Sequence, residues 1–225
     1  VRSSAASDVY KRQEMSRCVI LSACPVQPEL KRLLRSDDFI IACDAGYRNC
    51  ERLGCKPDII VGDFDSAPCP QQNADDIVVL PHVKDDTDTE YAAKLAAQKG
   101  FDEVLLLGAL GGKRVEHTLA NLCTGLGLGQ HGIRAALQDE RSRITFVLPG
   151  ESRRYPKEEF FYFSAFPMEG RAEGVYEKGS FYELEDAVLT AGYPLGVSNE
   201  YAEGSDCITI STRQGALVVV ETIAD

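Results

Sequence analysis

Residues 39–65 read FIIACDAGYRNCERLGCKPDIIVGDFD. Two short apolar runs, 39–43 and 59–61, enclose a helix-like stretch at 46–53. Each run ends on acids: Asp44 after the first, Asp63 and Asp65 after the second. A strand that is apolar at every position is buried on both faces, the condition of a parallel sheet covered by helices. Outward from this segment the alternation continues, with predicted strands at 18–23, 77–80, 104–107, 133–137 and 144–148 and predicted helices at 28–35, 87–99 and 115–126. Thr87-Asp88-Thr89-Glu90 supplies the cap and early acids that suit a helix N-terminus.

After Pro149-Gly150 the pattern changes. Short strand candidates at 160–166, 172–176, 180–184, 187–190, 207–211 and 216–221 are separated by Gly, Pro and Asn, with no helix among them. The expected fold is α/β: an N-terminal Rossmann-like parallel-sheet domain at 15–149, then a small C-terminal antiparallel β-sandwich at 150–225. The first residues, VRSSAASDVYKRQE, have neither the apolar middle of a signal peptide nor the pattern of a folded element. The expectation is that 1–14 is a non-native or disordered leader and that Met15 is the native start.

Composition excludes several classes. With 24 Lys+Arg against 35 Asp+Glu the formal charge is −11, which argues against nucleic acid as a partner. A nucleotide remains compatible, since a few basic groups and a metal can bind one phosphate chain. No apolar run approaches the roughly 18 residues of a membrane span. The 8 cysteines include no C-x-x-C pair, which points to reduced thiols and a cytoplasmic location. Gly127-Leu128-Gly129-Gln130-His131-Gly132 fits G-x-G-x-x-G, but it follows a helix and precedes a strand, the reverse of the dinucleotide fingerprint. His82 and His131 lack ligand-spaced partners.

The acids carry the chemistry. Asp44, the pair Asp63 and Asp65, and the group Asp85, Asp86 and Asp88 each lie just beyond a predicted strand, where open parallel sheets bind ligands. Carboxylates gathered there repel one another unless a cation sits between them, and an oxygen-only set suits Mg²⁺. The bland alternative is that each acid caps a helix or closes a turn. Three clusters at successive strand ends favour the metal. Facing them, Gly108-Ala109-Leu110-Gly111-Gly112-Lys113-Arg114 runs from a strand into a helix. Its glycines can expose backbone N–H groups to phosphate, and Arg114 adds a planar fork of donors.

These segments together resemble the thiamine pyrophosphokinase family, bacterial type. The matching stretches are ACDAG at 42–46, LGCKPDIIVGDFDS at 53–66, KDDTDTEYA at 84–92, GALGGKRVEHTLANL at 108–122 and GVSNE at 196–200, in the family's order. The resemblance implies transfer of a pyrophosphoryl group from ATP to thiamine, giving thiamine diphosphate and AMP, in a cytoplasmic homodimer. It assigns Asp63, Asp65 and Asp88 to Mg²⁺ and the phosphates, with Arg114 also catalytic. It places Asp44, Asp85, Thr87, Gly111, Gly112, Arg114 and His117 around the nucleotide, and Ser198 and Asn199 near thiamine. The sequence departs after Gly111-Gly112, where the family reads Arg, one residue, Asp and His. Here Lys113 precedes Arg114 and the acid is Glu116, so both basic residues stay candidates for the phosphate-facing role. The runner-up readings are another Mg²⁺-dependent enzyme with a D-x-D site, such as a sugar-nucleotide transferase or a phosphatase, or a non-catalytic thiamine or nucleotide sensor. The second cluster, Asp85-x-Thr87-Asp88, and the basic glycine loop discriminate against them.

Overall fold

The computed structural model describes residues 17–64, 76–81 and 85–224. The leader with Met15, Asp65, Cys69 and His82 lie outside the described residues. In chain order the strands are β1 (Cys18–Leu21), β2 (Phe39–Cys43), β3 (Ile59–Gly62), β4 (Asp76–Val79), β5 (Glu103–Leu107), β6 (Arg134–Gln138), β7 (Ser142–Val147), β8 (Ser152–Pro156), β9 (Tyr162–Pro167), β10 (Arg171–Lys178), β11 (Leu184–Thr190), β12 (Asn199–Glu200), β13 (Cys207–Ser211) and β14 (Leu217–Thr222). The helices are α1 (Tyr47–Leu53), α2 (Asp88–Lys99) and α3 (Val115–Gln130).

Ten strands form one sheet in the order β12-β9-β14-β7-β6-β5-β1-β2-β3-β4, and the other four form a second sheet, β11-β10-β13-β8. From β4 to β6 all neighbours are parallel. Their period-2 alternation serves two cores: Cys18, Ile20, Ile41, Val61, Val104 and Leu106 face α2 and α3, while Val19, Leu21, Ile40, Ile60, Leu105 and Leu107 face α1 and the Pro28–Leu33 turn. Both faces are covered, which is why these strands read as unbroken apolar runs.

The same sheet continues across Pro149-Gly150. β7, β9 and β14 place Ile144, Phe146, Val218 and Phe166 on the α2/α3 side. Their alternate residues Val147, Phe163, Ala165, Leu217 and Val219 pack on Tyr155, Val175, Ile208 and Ile210 of the second sheet. One sheet is thus half of the α/β layer and half of the β-sandwich.

Several elements differ from expectation. β7 runs antiparallel to β6, not as another parallel strand, because only Asp139-Glu140-Arg141 joins them and a parallel crossover needs a dozen residues or more. Asp139 closes the hairpin, its carboxylate accepting from Arg141 N at 2.9 Å and Ser142 N at 2.7 Å. The helix expected at 28–35 is a 3₁₀ turn, Pro28–Leu33. α3 runs on to Gln130, through Gly125, Gly127 and Gly129. The strand expected at 187–190 begins earlier, at Leu184, as β11; the one expected at 180–184 is a turn with a single bridge from Ser180 to Tyr201; β8 and β12 are additional. Among the described residues no helix is long and apolar enough to cross a membrane, and every described cysteine is a free thiol.

Candidate active site

The parallel strand order reverses between β1 and β5, and the candidate residues gather at the carboxyl ends of β1, β2, β3 and β5. Asp44 opens the 3₁₀ turn after β2, and Asp63 follows β3 directly. Their backbones approach because residue 62 is glycine: a Cβ there would lie 3.1 Å from Asp44 Cα and 3.2 Å from Asp44 N. Asp88 is the first residue of α2. The Cys43 thiol donates to the Asp88 carbonyl oxygen at 3.5 Å. Burial pushes that thiol well above its ordinary value, and the Asp88 and Asp44 carboxylates push it further. Asp44, Asp63 and Asp88 therefore come to one end of the sheet.

Thr87 serves as the helix cap the sequence predicts, its hydroxyl accepting from Glu90 N at 3.1 Å. Asp85 is exposed. Asp86, just before α2, lies 2.7 Å from Lys94 Nζ on that helix, which balances its charge.

The glycine loop stands across β1 from the acids. Gly108 has φ 66, and a Cβ on it would lie 2.6 Å from Cys24 O and 2.7 Å from Ser22 O. Only glycine allows this backbone to close on the turn after β1. The loop continues through Gly111 and Gly112, both exposed, and lines a cavity of about 220 Å³ with Cys24, Leu30 and Asp139. Arg114 precedes α3 and lies 2.7 Å from Glu116 Oε1. Glu116 is held below the usual carboxylate range by that hydrogen bond. The departure from the family pattern thus has a local consequence: Glu116 reaches back to the Arg114 guanidinium. Lys113 is exposed, and His117 donates its backbone N–H to Arg114 O at 3.0 Å.

Sequence reasoning missed the residues that hold these loops. Asn49 on α1 is fully buried. Its amide donates to Ser22 O at 2.7 Å and Cys24 O at 2.8 Å, and its oxygen accepts from Val26 N at 3.2 Å. On α3, Asn121 donates to Ala109 O at 2.7 Å, and the Thr118 hydroxyl accepts from Gly111 N at 3.1 Å. Ser22 and Thr89 hydroxyls meet at 2.9 Å, tying α2 to the end of β1. The available signal was a polar residue on an apolar helical stripe: Asn49 is four residues before Leu53, and Asn121 four before Gly125.

Ser198 and Asn199 lie elsewhere. Ser198 is exposed, has φ 54, and donates its N–H to Ser164 Oγ at 2.9 Å. Asn199 is buried. Its amide nitrogen donates to Glu177 Oε1 and to Tyr182 O, and its oxygen accepts from Tyr182 N at 3.0 Å. Asn199 thus fixes the turn that presents Phe181 and Tyr182, which are 66% and 69% exposed. Tyr193, 66% exposed, lies five residues before Ser198, whereas Tyr201 already carries Lys157 Nζ 5.5 Å from its ring centre.

Of the four described non-glycine residues with positive φ, Asp44 and Ser198 are predicted site residues and Phe64 separates Asp63 from Asp65. Such strain persists where surrounding structure enforces it, commonly at functional sites.

The structure does not bring all of these residues together within one chain. β12 is at one edge of the ten-stranded sheet and β3 is second from the other. Eight strand steps separate Asn199 from the end of β3, on the order of 40 Å along the sheet.

The chain matches two family profiles: "Thiamin pyrophosphokinase, catalytic domain" over residues 30–137 and "Thiamin pyrophosphokinase, vitamin B1 binding domain" over residues 154–217. A curated relative, thiamine pyrophosphokinase of Bacillus subtilis (strain 168), is 26% identical over 200 residues, 87% of this chain and 92% of that one. The crystal structure of the Bacillus subtilis enzyme aligns with TM-score 0.82 and 24% identity over 93% of this chain and 100% of that one. Thiamin pyrophosphokinase from Candida albicans aligns with TM-score 0.74 and 13% identity, over 92% and 89% of the two chains.

Proposed function

The chain belongs to the thiamine pyrophosphokinase family, and from that premise we propose that it transfers the pyrophosphoryl group of ATP to the thiamine hydroxyl, releasing AMP. The observation that carries this reading is the pairing of acidic strand ends with a glycine loop on either side of β1. Carboxylates handle the metal that a polyphosphate brings, and backbone N–H groups with a guanidinium handle the phosphates themselves.

The donor set fits Mg²⁺. Asp63, Asp65 and Asp88 would offer it hard oxygen ligands. Mg²⁺ ordinarily takes one or two carboxylates and completes its shell with phosphates and water. When bound, the metal would neutralise charge on the phosphate oxygens.

The chain's own residues then position the reaction. Gly111 and Gly112 cradle phosphate, Asp44, Asp85, Thr87 and His117 border the nucleotide, and Arg114 exchanges Glu116 for the charge that develops on the transferred group. Pyrophosphoryl transfer depends mainly on such placement and charge neutralisation. Ser198 borders thiamine, and Asn199 acts by holding the Phe181–Tyr182 turn against it. The exposed rings of Phe181, Tyr182 and Tyr193 offer faces to the cationic thiazolium.

Because Ser198 and the acids are so far apart in one chain, the site is completed by a second copy. The homodimer is therefore part of the proposal. The test is to incubate the purified protein with thiamine, ATP and Mg²⁺ and quantify the nucleotides. AMP and thiamine diphosphate in equal amounts are expected; ADP as the nucleotide product, or no thiamine-dependent AMP, would overturn the reading.

A further inference from the structure

Helix α1 ends on Gly54, which takes φ 64 and ψ 38. Gly54 N donates to Glu51 O at 3.2 Å and Cys55 N donates to Cys50 O at 3.0 Å. This pair of bonds is the Schellman closure, and it brings the side chains at its two ends into contact, ordinarily as a hydrophobic pair. Here both ends are cysteines. The Cys55 thiol donates to Cys50 O at 3.7 Å, Cys55 packs on the apolar cluster that holds Cys50, and both thiols are free.

The two thiols differ in environment. Cys50 is 2% exposed, packed among Leu30, Leu53 and Val26, whereas Cys55 is half-buried and reaches solvent. The Lys31 ammonium approaches the same turn, 3.3 Å from where a Cβ on Gly54 would stand. The neighbouring Cys50 thiol, with Lys31 adding to it, holds the Cys55 thiol below its ordinary value. That contact and burial push Cys50 far above. A solvent-reaching thiol that ionises more readily, near a cation and with a second thiol at the other end of the same closure, is the arrangement of a thiol that reacts with peroxide and is then resolved.

We propose that Cys50 and Cys55 are a modification site: a peroxide-reactive dithiol that closes into an intramolecular disulfide across the end of α1. The Cys55 thiolate attacks one peroxide oxygen, the O–O bond breaks, and the departing hydroxide takes a proton to leave as water, with Cys55 oxidised to the sulfenic acid. The Cys50 sulfur then attacks the Cys55 sulfur. The S–S bond forms, the S–O bond breaks, and the Cys50 proton leaves with the hydroxyl as a second water. Two thiols and one hydrogen peroxide thus give one disulfide and two waters.

Hydrogen peroxide treatment of the intact protein tests this, followed by alkylation and tryptic digestion without reduction. Trypsin cuts after Arg52, between the two cysteines. The expected product links residues 49–52 to the peptide starting at Leu53, about 2 Da lighter than the two thiol peptides together, and is lost on reduction. It should form at least about tenfold faster than the exposed Cys123 is oxidised in the same sample. In Cys50→Ser, a 1,3-diketone probe should instead trap a sulfenic acid at Cys55. The proposal is overturned if the linked peptide forms no faster than Cys123 oxidises, if Cys55 pairs with a different cysteine, or if Cys50→Ser yields no trapped Cys55.

Discussion

Glu177 shows how one buried carboxylate is controlled by its neighbours. It is 1% exposed, and burial pushes its carboxyl up to about 7, against the pull of hydrogen bonds from Ser180 and Asn199. A raised carboxyl favours the folded state at low pH, and that advantage is lost as pH rises through the folded value near 7. Glu177→Gln keeps an oxygen for Asn199 but cannot ionise. Its melting temperature relative to wild type should therefore climb between pH 5 and pH 8, by an amount corresponding to at most about 3 kcal/mol; parallel pH profiles would refute the assignment. At the acid cluster, Asp63→Ala and Arg114→Ala should each lower turnover by about 10² to 10³, near 3 to 4 kcal/mol, with the melting temperature little changed. Near-wild-type turnover of purified Asp63→Ala would remove that residue from the site. The positions of Asp44 and Asp63 were legible because each directly follows an apolar run that forms a strand. Asn49 left only its place on the apolar stripe, four residues before Leu53; its role in YRNCERL shows once the carbonyls of Ser22 and Cys24 are placed against it.

Among the elements, α3 carries the glycine loop at its N-terminus and three glycines near its end. Gly125 faces the core, where a Cβ would lie 2.6 Å from the Phe146 ring and 2.9 Å from Leu137 Cδ1. Gly127 has nothing within 4 Å of the same position. Alanine is the better helix former by about 1 kcal/mol, so Gly127→Ala should raise stability by about that much. Gly125→Ala should lower it by about 1–3 kcal/mol, because the added methyl must displace a packed ring. Denaturant titration of both variants checks the pair, and equal shifts would mean the helix is not seated on Phe146. The glycines also explain why the sequence reading stopped this helix at residue 126: local propensity falls there, while packing of Leu128 on the core continues. Similarly, β7 was legible as a strand from its apolar alternation. Its reversed direction was written only in the three-residue length of the link from β6, which the apolar run outweighed.

For the whole molecule, strand order sets what one chain can do. The two chain segments on either side of Pro149 were legible by their different grammar, one alternating strands and helices, the other strands alone. That they share a single sheet was not, since β9, β12 and β14 join it through long-range pairings that no local pattern encodes. Their addition puts Ser198 and Asn199 at the edge remote from β3, a span thiamine cannot bridge. If two copies share each site through a two-fold interface, acids from one must work with Ser198 of the other. Asp63→Ala and Ser198→Tyr should then each be inactive alone, because every site in either homodimer holds one defective half. Mixed and re-associated, the two variants form hybrid dimers in which one site collects both defects and the other collects none. Random re-association makes about half of the dimers hybrid, so about a quarter of wild-type activity should return. A single-chain site predicts no recovery at all, since each chain would keep its own defect whatever its partner. Activity that stays at baseline while native mass spectrometry shows hybrid dimers would refute the shared site.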